Sequence, residues 1–159
     1  MASETMASRL IEAADTLLTE GRRSTAYRRR AVSTAYYAVF HALAKLCADY
    51  ITRSATHSTE EYSRVYRSLD HGPLKNAFGQ SPLKENRRLS RLGAIVVRLQ
   101  AERHKSDYLP PAIGIFSRDV AQELVDLARE AVAEVESIRP QNKDCRTLVT
   151  CLLFKVRPQ

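Results

Sequence analysis

Residues 28–41 read RRRAVSTAYYAVFH. Arginines open the stretch, small residues and tyrosines share its middle, and a histidine closes it. It lies in a long helical pattern. Ser24 is placed to cap its start, and the pattern runs to about Tyr50 or Thr52. Val32, Tyr36, Val39, Phe40, Leu43, Leu46 and Cys47 form its apolar stripe. Beside them run Ala31, Ala35, Ala38 and Ala42, and small residues at that spacing let another helix come close. This helix is therefore expected at the centre of a helical bundle.

Working outward, residues 4–20 form a first helix with Met6, Leu10, Ala14, Leu17 and Leu18 on one face, stopped by Gly21. After a loop at 53–58, Ser58 and Glu61 have the spacing of a capping box for a third helix buried through Tyr62, Val65, Tyr66 and Leu69. His71, Gly72 and Pro73 break it, which makes His71 a turn residue, and Pro73 opens a short helix through Phe78. A fourth helix spans about Asn86 to His104, with Leu89, Leu92, Ile95, Val96 and Leu99 inward. YLPPAIGIF is a rigid connection. Ser117 caps a fifth helix to about Ile138, with Val120, Leu124, Leu127, Ala131 and Val135 inward. These elements make an all-α bundle over residues 1–140. Residues 141–159 form a tail that docks on the bundle or on a second subunit. Asp144 can cap a helix through Phe154, whereas TLVTCLLFKV also reads as a strand. Tyr37 and the apolar tail 147–156 exceed what one core needs, which favours a homodimer.

The composition narrows the function. The chain of 159 residues is one domain's worth. Lys and Arg total 25 against 18 Asp and Glu, a net charge of +7. Arginine forks match phosphate, so nucleic acid or a nucleotide is the expected class of partner. No glycine-rich phosphate loop occurs. Three cysteines, Cys47, Cys145 and Cys151, lack metal-site spacing and fit free thiols in a cytoplasmic protein. No apolar run is long enough to span a membrane. No metal box or Ser/His/Asp nucleophile is legible, no cofactor is called for, and no helix-turn-helix spacing points to a DNA regulator.

Charge is clustered. Arg22, Arg23, Arg28, Arg29 and Arg30 crowd the start of the second helix, and Lys84, Arg87, Arg88 and Arg91 that of the fourth. Basic side chains oppose the dipole there, so each cluster calls for a bound anion or an acidic neighbour such as the fifth helix. RHKSDY at 103–108 ends the fourth helix. Arg103 and Asp107, four apart, share a face and can pair. His104 lies about 100° around from them, and Tyr108 follows. Tyr36 and Tyr37 are adjacent and cannot both face one core, so one borders a cleft. His41 reads as a packed core histidine.

RRAVSTAYYAVFHAL at 29–43, followed by RHKSDYLP at 103–110, resembles the HEPN family (higher eukaryotes and prokaryotes nucleotide-binding), in particular its small prokaryotic members. The resemblance spans about residues 8–138. It implies an up-and-down bundle of four or five helices, a homodimer, and partnership with a small nucleotidyltransferase in a toxin–antitoxin or defence pair. Active members are metal-independent ribonucleases with an Arg-x4-6-His motif, in which histidine acts on the ribose 2′-hydroxyl and arginine stabilises phosphate charge. Arg98 to His104 has that spacing. Arg103, Asp107 and Tyr108 match a second pattern of the family, and Asp107 then stands where a histidine is expected. A carboxylate repels phosphate and is a weak base. Arg103, His104, Asp107 and Tyr108 are thus the catalytic candidates, and Arg29, Arg30, Tyr37, His41 and Arg98 the candidates for binding RNA or a nucleotide. Arg103 is expected in a cleft with Arg30 or Tyr37. A non-catalytic protein-interaction module is the alternative.

Overall fold

The computed structural model describes residues 4–21, 23–53, 57–111 and 115–157. Its helices are α1 (Met6–Glu20), α2 (Thr25–Thr52), α3 (Glu60–Tyr66), α4 (His71–Phe78), α5 (Arg87–Tyr108), α6 (Arg118–Ser137) and α7 (Lys143–Leu153), with a 3-10 turn at Leu83–Glu85. Among the described residues there is no strand, and no helix is long and apolar enough to cross a membrane. Arg22, residues 54–56 of the first loop and 112–114 of the proline-containing connection lie outside the described residues.

The second helix holds the rest together. The Ser24 side chain accepts from the Tyr27 amide, and 28 residues follow without glycine or proline. Its alanines 31, 35, 38, 42, 44 and 48 are all buried, as are Val32, Tyr36, Val39, Leu43 and Cys47. Burial on nearly every side marks a core helix rather than a surface one. α1, α3, α5, α6 and α7 all pack on it. The helix ends where Arg53 turns left-handed, at φ 51°, and its amide bonds to the Asp49 carbonyl.

Several boundaries and faces differ from the sequence reading. In α1 the buried stripe is Ala7, Ile11, Ala14 and Leu18, one residue around from expectation. Small Ala7 and Ala14 are buried, and Met6 is left 53% exposed. Thr59, not Ser58, caps α3. Asp70 caps α4 by accepting from the Gly72 amide, so His71 opens a helix instead of lying in a turn. On α6, Ala121 and Val125 turn inward beside Leu124, while Val120 is 39% exposed. The tail is helical. Asn142 caps α7 by accepting from the Asp144 amide, and Asp144 itself accepts from Asn86 Nδ2 at 2.8 Å. Cys145, Leu148, Val149 and Leu152 are buried, and the helix lies against α2, α4 and the 3-10 turn. Most of the apolar tail surface that favoured a dimer is therefore covered within one chain, with Phe154 and Val156 left exposed.

One close contact sets where α4 lies. Gly93, buried inside α5, faces Phe78 at the end of α4. A Cβ there would come within 2.6–2.9 Å of Phe78 Cδ1, Cγ and Cβ, atoms too near the backbone to swing aside. Exchanging a mid-helix glycine for alanine ordinarily gains about 1 kcal/mol of helix propensity. Here the overpacking, about 1–3 kcal/mol, opposes it. Gly93→Ala should thus lower the urea midpoint, whereas an exposed α5 substitution such as Arg87→Ala should leave it nearly unchanged.

Candidate functional site

Arg103 projects from the penultimate turn of α5 onto α2. Its guanidinium carbon lies 5.2 Å from the centroid of the Tyr36 ring and 5.9 Å from that of Tyr37. The rings meet edge to face at 5.5 Å, so adjacent tyrosines both reach one cation, Tyr36 from within the core and Tyr37 from its margin. Such contacts are worth about 0.5–2 kcal/mol, the more so when water is excluded. The Arg103 side chain is only 15% exposed. Asp107 is four residues on, but the ion pair spans 3.5 Å, long for a charged hydrogen bond. Arg103 Nε is buried without a hydrogen-bond partner among the described residues. A partly sheltered cation with a loose counterion suits an incoming anion.

His71 enters the same cluster from α4. Its Nδ1 lies 2.7 Å from Tyr36 Oη, its ring stacks on Phe40 at 3.9 Å, and its carbonyl accepts from Gln100 Nε2 at 2.5 Å. Burial, then the charge of Arg103, lowers its pKa below the ordinary 6.5. Burial raises the Tyr36 phenol well above its usual range, against the pull of Arg103, so both groups are neutral at pH 7. Sequence reading missed His71 and Gln100. The available signal was Asp70 followed by His-Gly-Pro, a capping residue with proline in the first turn.

A cleft of about 420 Å³ adjoins this cluster, lined by Thr25, Ala26, Arg29 and Arg30 of α2, by Ser106 and Asp107 of α5, and by the Pro111 and Ile115–Phe116 flanks of the connection. Arg29 and Arg30 differ within it. Arg29 donates from Nε to the Ser106 carbonyl at 2.8 Å and from Nη2 to the Leu109 carbonyl, while Ser106 Oγ donates back to the Arg29 carbonyl. Its guanidinium therefore caps the otherwise unpaired carbonyls at the end of α5, and the expected phosphate ligand is a structural clamp. Arg30 is exposed and forms no ion pair among the described residues. Asp107 links this cleft to Arg103.

Other expected site residues lie apart. His104 and Tyr108 face each other at 4.8 Å on the exposed stripe of the last α5 turn, not with Arg103 and the tyrosines. Arg98 binds Glu123 of α6 at 2.9 Å, so the Arg98–His104 spacing does not bring those side chains into one cluster. His41 bonds through Nδ1 to Tyr66 Oη at 2.5 Å and is packed, as expected, with burial lowering its pKa. The basic start of α5 meets acids of α6, Arg88 with Glu134 and Arg91 with Glu130. There the acidic neighbour answers the charge of Arg88 and Arg91. Among the described residues no group of three His, Cys, Asp or Glu could hold a metal ion.

The two depressed histidines make stability pH-dependent. Below 6.5 the unfolded chain binds protons that folded His41 and His71 resist, so stability is full above that pH and falls as pH drops toward their folded pKa values. Urea midpoints at pH 7.5 and 5.5 should show this loss, and His71→Gln with His41→Gln should shrink the difference.

The sequence model of the HEPN domain matches residues 4–138. No curated protein sequence and no solved structure matches the chain. The match covers α1 to α6 and takes in the Arg103 cluster, the adjoining cleft and His71. By that match the chain belongs to the HEPN domain family.

Proposed function

We propose that this domain binds RNA, with Arg103 and Arg30 as the phosphate contacts. The observation that carries the reading is Arg103 itself, held on the faces of Tyr36 and Tyr37 and loosely countered by Asp107. Membership of a family of nucleotide-binding or ribonuclease-like helical domains supports the choice of phosphate bearer. Arg30 stands exposed at the mouth of the adjoining cleft and extends the positive surface. Tyr37 offers a partly exposed ring beside the cation on which a base can stack. Asp107 keeps Arg103 oriented. The same reading includes a homodimer, a nucleotidyltransferase as protein partner and a cytoplasmic setting. The free thiols of Cys47, Cys145 and Cys151 accord with a reducing compartment.

Fluorescence anisotropy with labelled RNA tests the reading. Affinity should fall steeply with salt, because each neutralised phosphate releases counterions. Arg30→Ala should weaken binding, flatten that slope by about one contact and leave stability nearly unchanged. Arg103→Lys should also weaken binding, since a point charge loses the planar contact with the tyrosines. A folded protein with no affinity for RNA would overturn the reading in favour of a protein-interaction module.

Arg29→Ala should behave differently from Arg30→Ala. It uncovers the carbonyls of the last α5 turn and should cost about 1–3 kcal/mol of stability, read as a lower urea midpoint.

A further inference from the structure

We propose that the cleft between the start of α2 and the end of α5 receives a guanine base of the bound RNA, and that Asp107 selects this base by accepting hydrogen bonds from its N1–H and its exocyclic amino group. The proposal rests on the RNA-binding reading above and adds a base preference to it.

The polar groups of the cleft carry it. Arg29 and Ser106 are spent on each other, the guanidinium on the Ser106 carbonyl and the Ser106 hydroxyl on the Arg29 carbonyl. Asp107 and Arg30 remain. Ala26, Ile115 and Phe116 give the cleft apolar walls. Its volume of about 420 Å³ lies in the ordinary range of ligand sites, which combine apolar walls with a few placed polar groups. Such a site suits a flat heterocycle read at its edge. Asp107 decides which edge. Its side chain is 23% exposed. Among the described residues only Oδ2 is engaged, by Arg103 at 3.5 Å. An ionised carboxylate accepts and does not donate, so it repels phosphate and requires a base that brings donors.

Guanine meets that requirement. Its N1–H and exocyclic amino group lie side by side and match the two oxygens of one carboxylate. Adenine and cytosine place a single amino group beside a ring nitrogen whose lone pair a carboxylate repels. Uracil places its one N–H between two carbonyls. Arg103 holds Asp107 through Oδ2, which limits the orientations of the carboxylate. Arg30, exposed in the same cleft, is placed for a phosphate that flanks the base. An arginine from a protein partner has a similar donor edge, but it is a cation and would meet Arg30 and Arg103. RNA brings the phosphates that those two cations attract.

The experiment measures the affinity of the full chain for labelled oligouridine strands that carry guanosine, inosine, adenosine, cytidine or uridine at one central position. The guanosine strand should bind about five- to 150-fold more tightly than the adenosine, cytidine and uridine strands. Inosine lacks the exocyclic amino group and should fall between. Asp107→Asn keeps the side-chain size and replaces one acceptor with a donor, so it should erase the guanosine preference. If Asp107 only oriented Arg103, that variant would change affinity for every strand alike and leave the ratio as it was. Ala26→Leu fills the cleft from an exposed position in the first turn of α2. It should also erase the preference, and it decides the matter if Asp107→Asn fails to fold. Glu61→Gln, which removes an exposed acid on α3, should keep the parent ratio. Guanosine monophosphate brings a single phosphate and should bind far more weakly than the guanosine strand. If it binds as tightly, the cleft belongs to a free nucleotide and the assignment to RNA is overturned. Equal affinity for all the strands overturns this proposal and leaves the binding reading intact. So does a guanosine preference that survives Asp107→Asn. Parent protein that binds no RNA overturns both.

Discussion

The close approach of helices to the alanine-rich flank of α2 is the constraint on which the structure depends. Alanines 31, 35, 38 and 42 occupy no more than a methyl group each, and all four are buried. α1 and α6 pack on α2 and on each other. A helix enclosed in this way cannot rotate without moving the whole bundle, because a packed interior has little free volume. The direction of every α2 side chain follows from this. Tyr36 must point inward toward α4 and α5, and Tyr37, about 100° further round, must lie at the margin. The two rings that receive Arg103 are thus oriented by alanines on another side of the same helix.

A second constraint joins the beginning of α2 to the end of α5. Arg29 donates to carbonyls of the last turn of α5, and Ser106 returns a hydrogen bond to the Arg29 carbonyl. The negative end of the α5 dipole receives a cation, and Arg103, one turn earlier, is brought beside Tyr36. On the far side, Gly93 admits Phe78 and Gln100 holds the His71 carbonyl. The cation and the imidazole therefore reach one tyrosine through contacts spread over about three turns of α5.

The arginines sort by what stands opposite them. Arg88 and Arg91 near the start of α5 meet glutamates of α6, and at exposed sites such pairs contribute little to stability, about 0–1 kcal/mol. They do neutralise a surface that would otherwise attract anions. Arg29 is occupied by carbonyls. Arg30 is exposed and has no counterion among the described residues, and Arg103 has only a loose one. Part of the net charge of +7 is thus already engaged within the fold.

Much of this was legible in the chain. Ser24, Asn86 and Ser117 cap helices where their residue type and the following periodicity place them, because an N-cap and an apolar stripe are local properties. The pairing of Arg103 with Asp107 is equally local, set by helix pitch. The family resemblance likewise rests on two stretches that each lie within a single helix. What the sequence could not decide were the contacts between residues far apart in the chain. Arg29 and Arg30 are neighbours of identical chemistry, and only the arrival of the α5 terminus, 77 residues later, makes one a clamp and leaves the other exposed. His71 looked like a turn residue because Gly72 and Pro73 follow it, and its role depends on a tyrosine 35 positions earlier. Helix periodicity sets which side chains share a face. Which side chain meets a cation, a carbonyl or solvent depends on how separate helices pack, and that was decided by the tertiary structure.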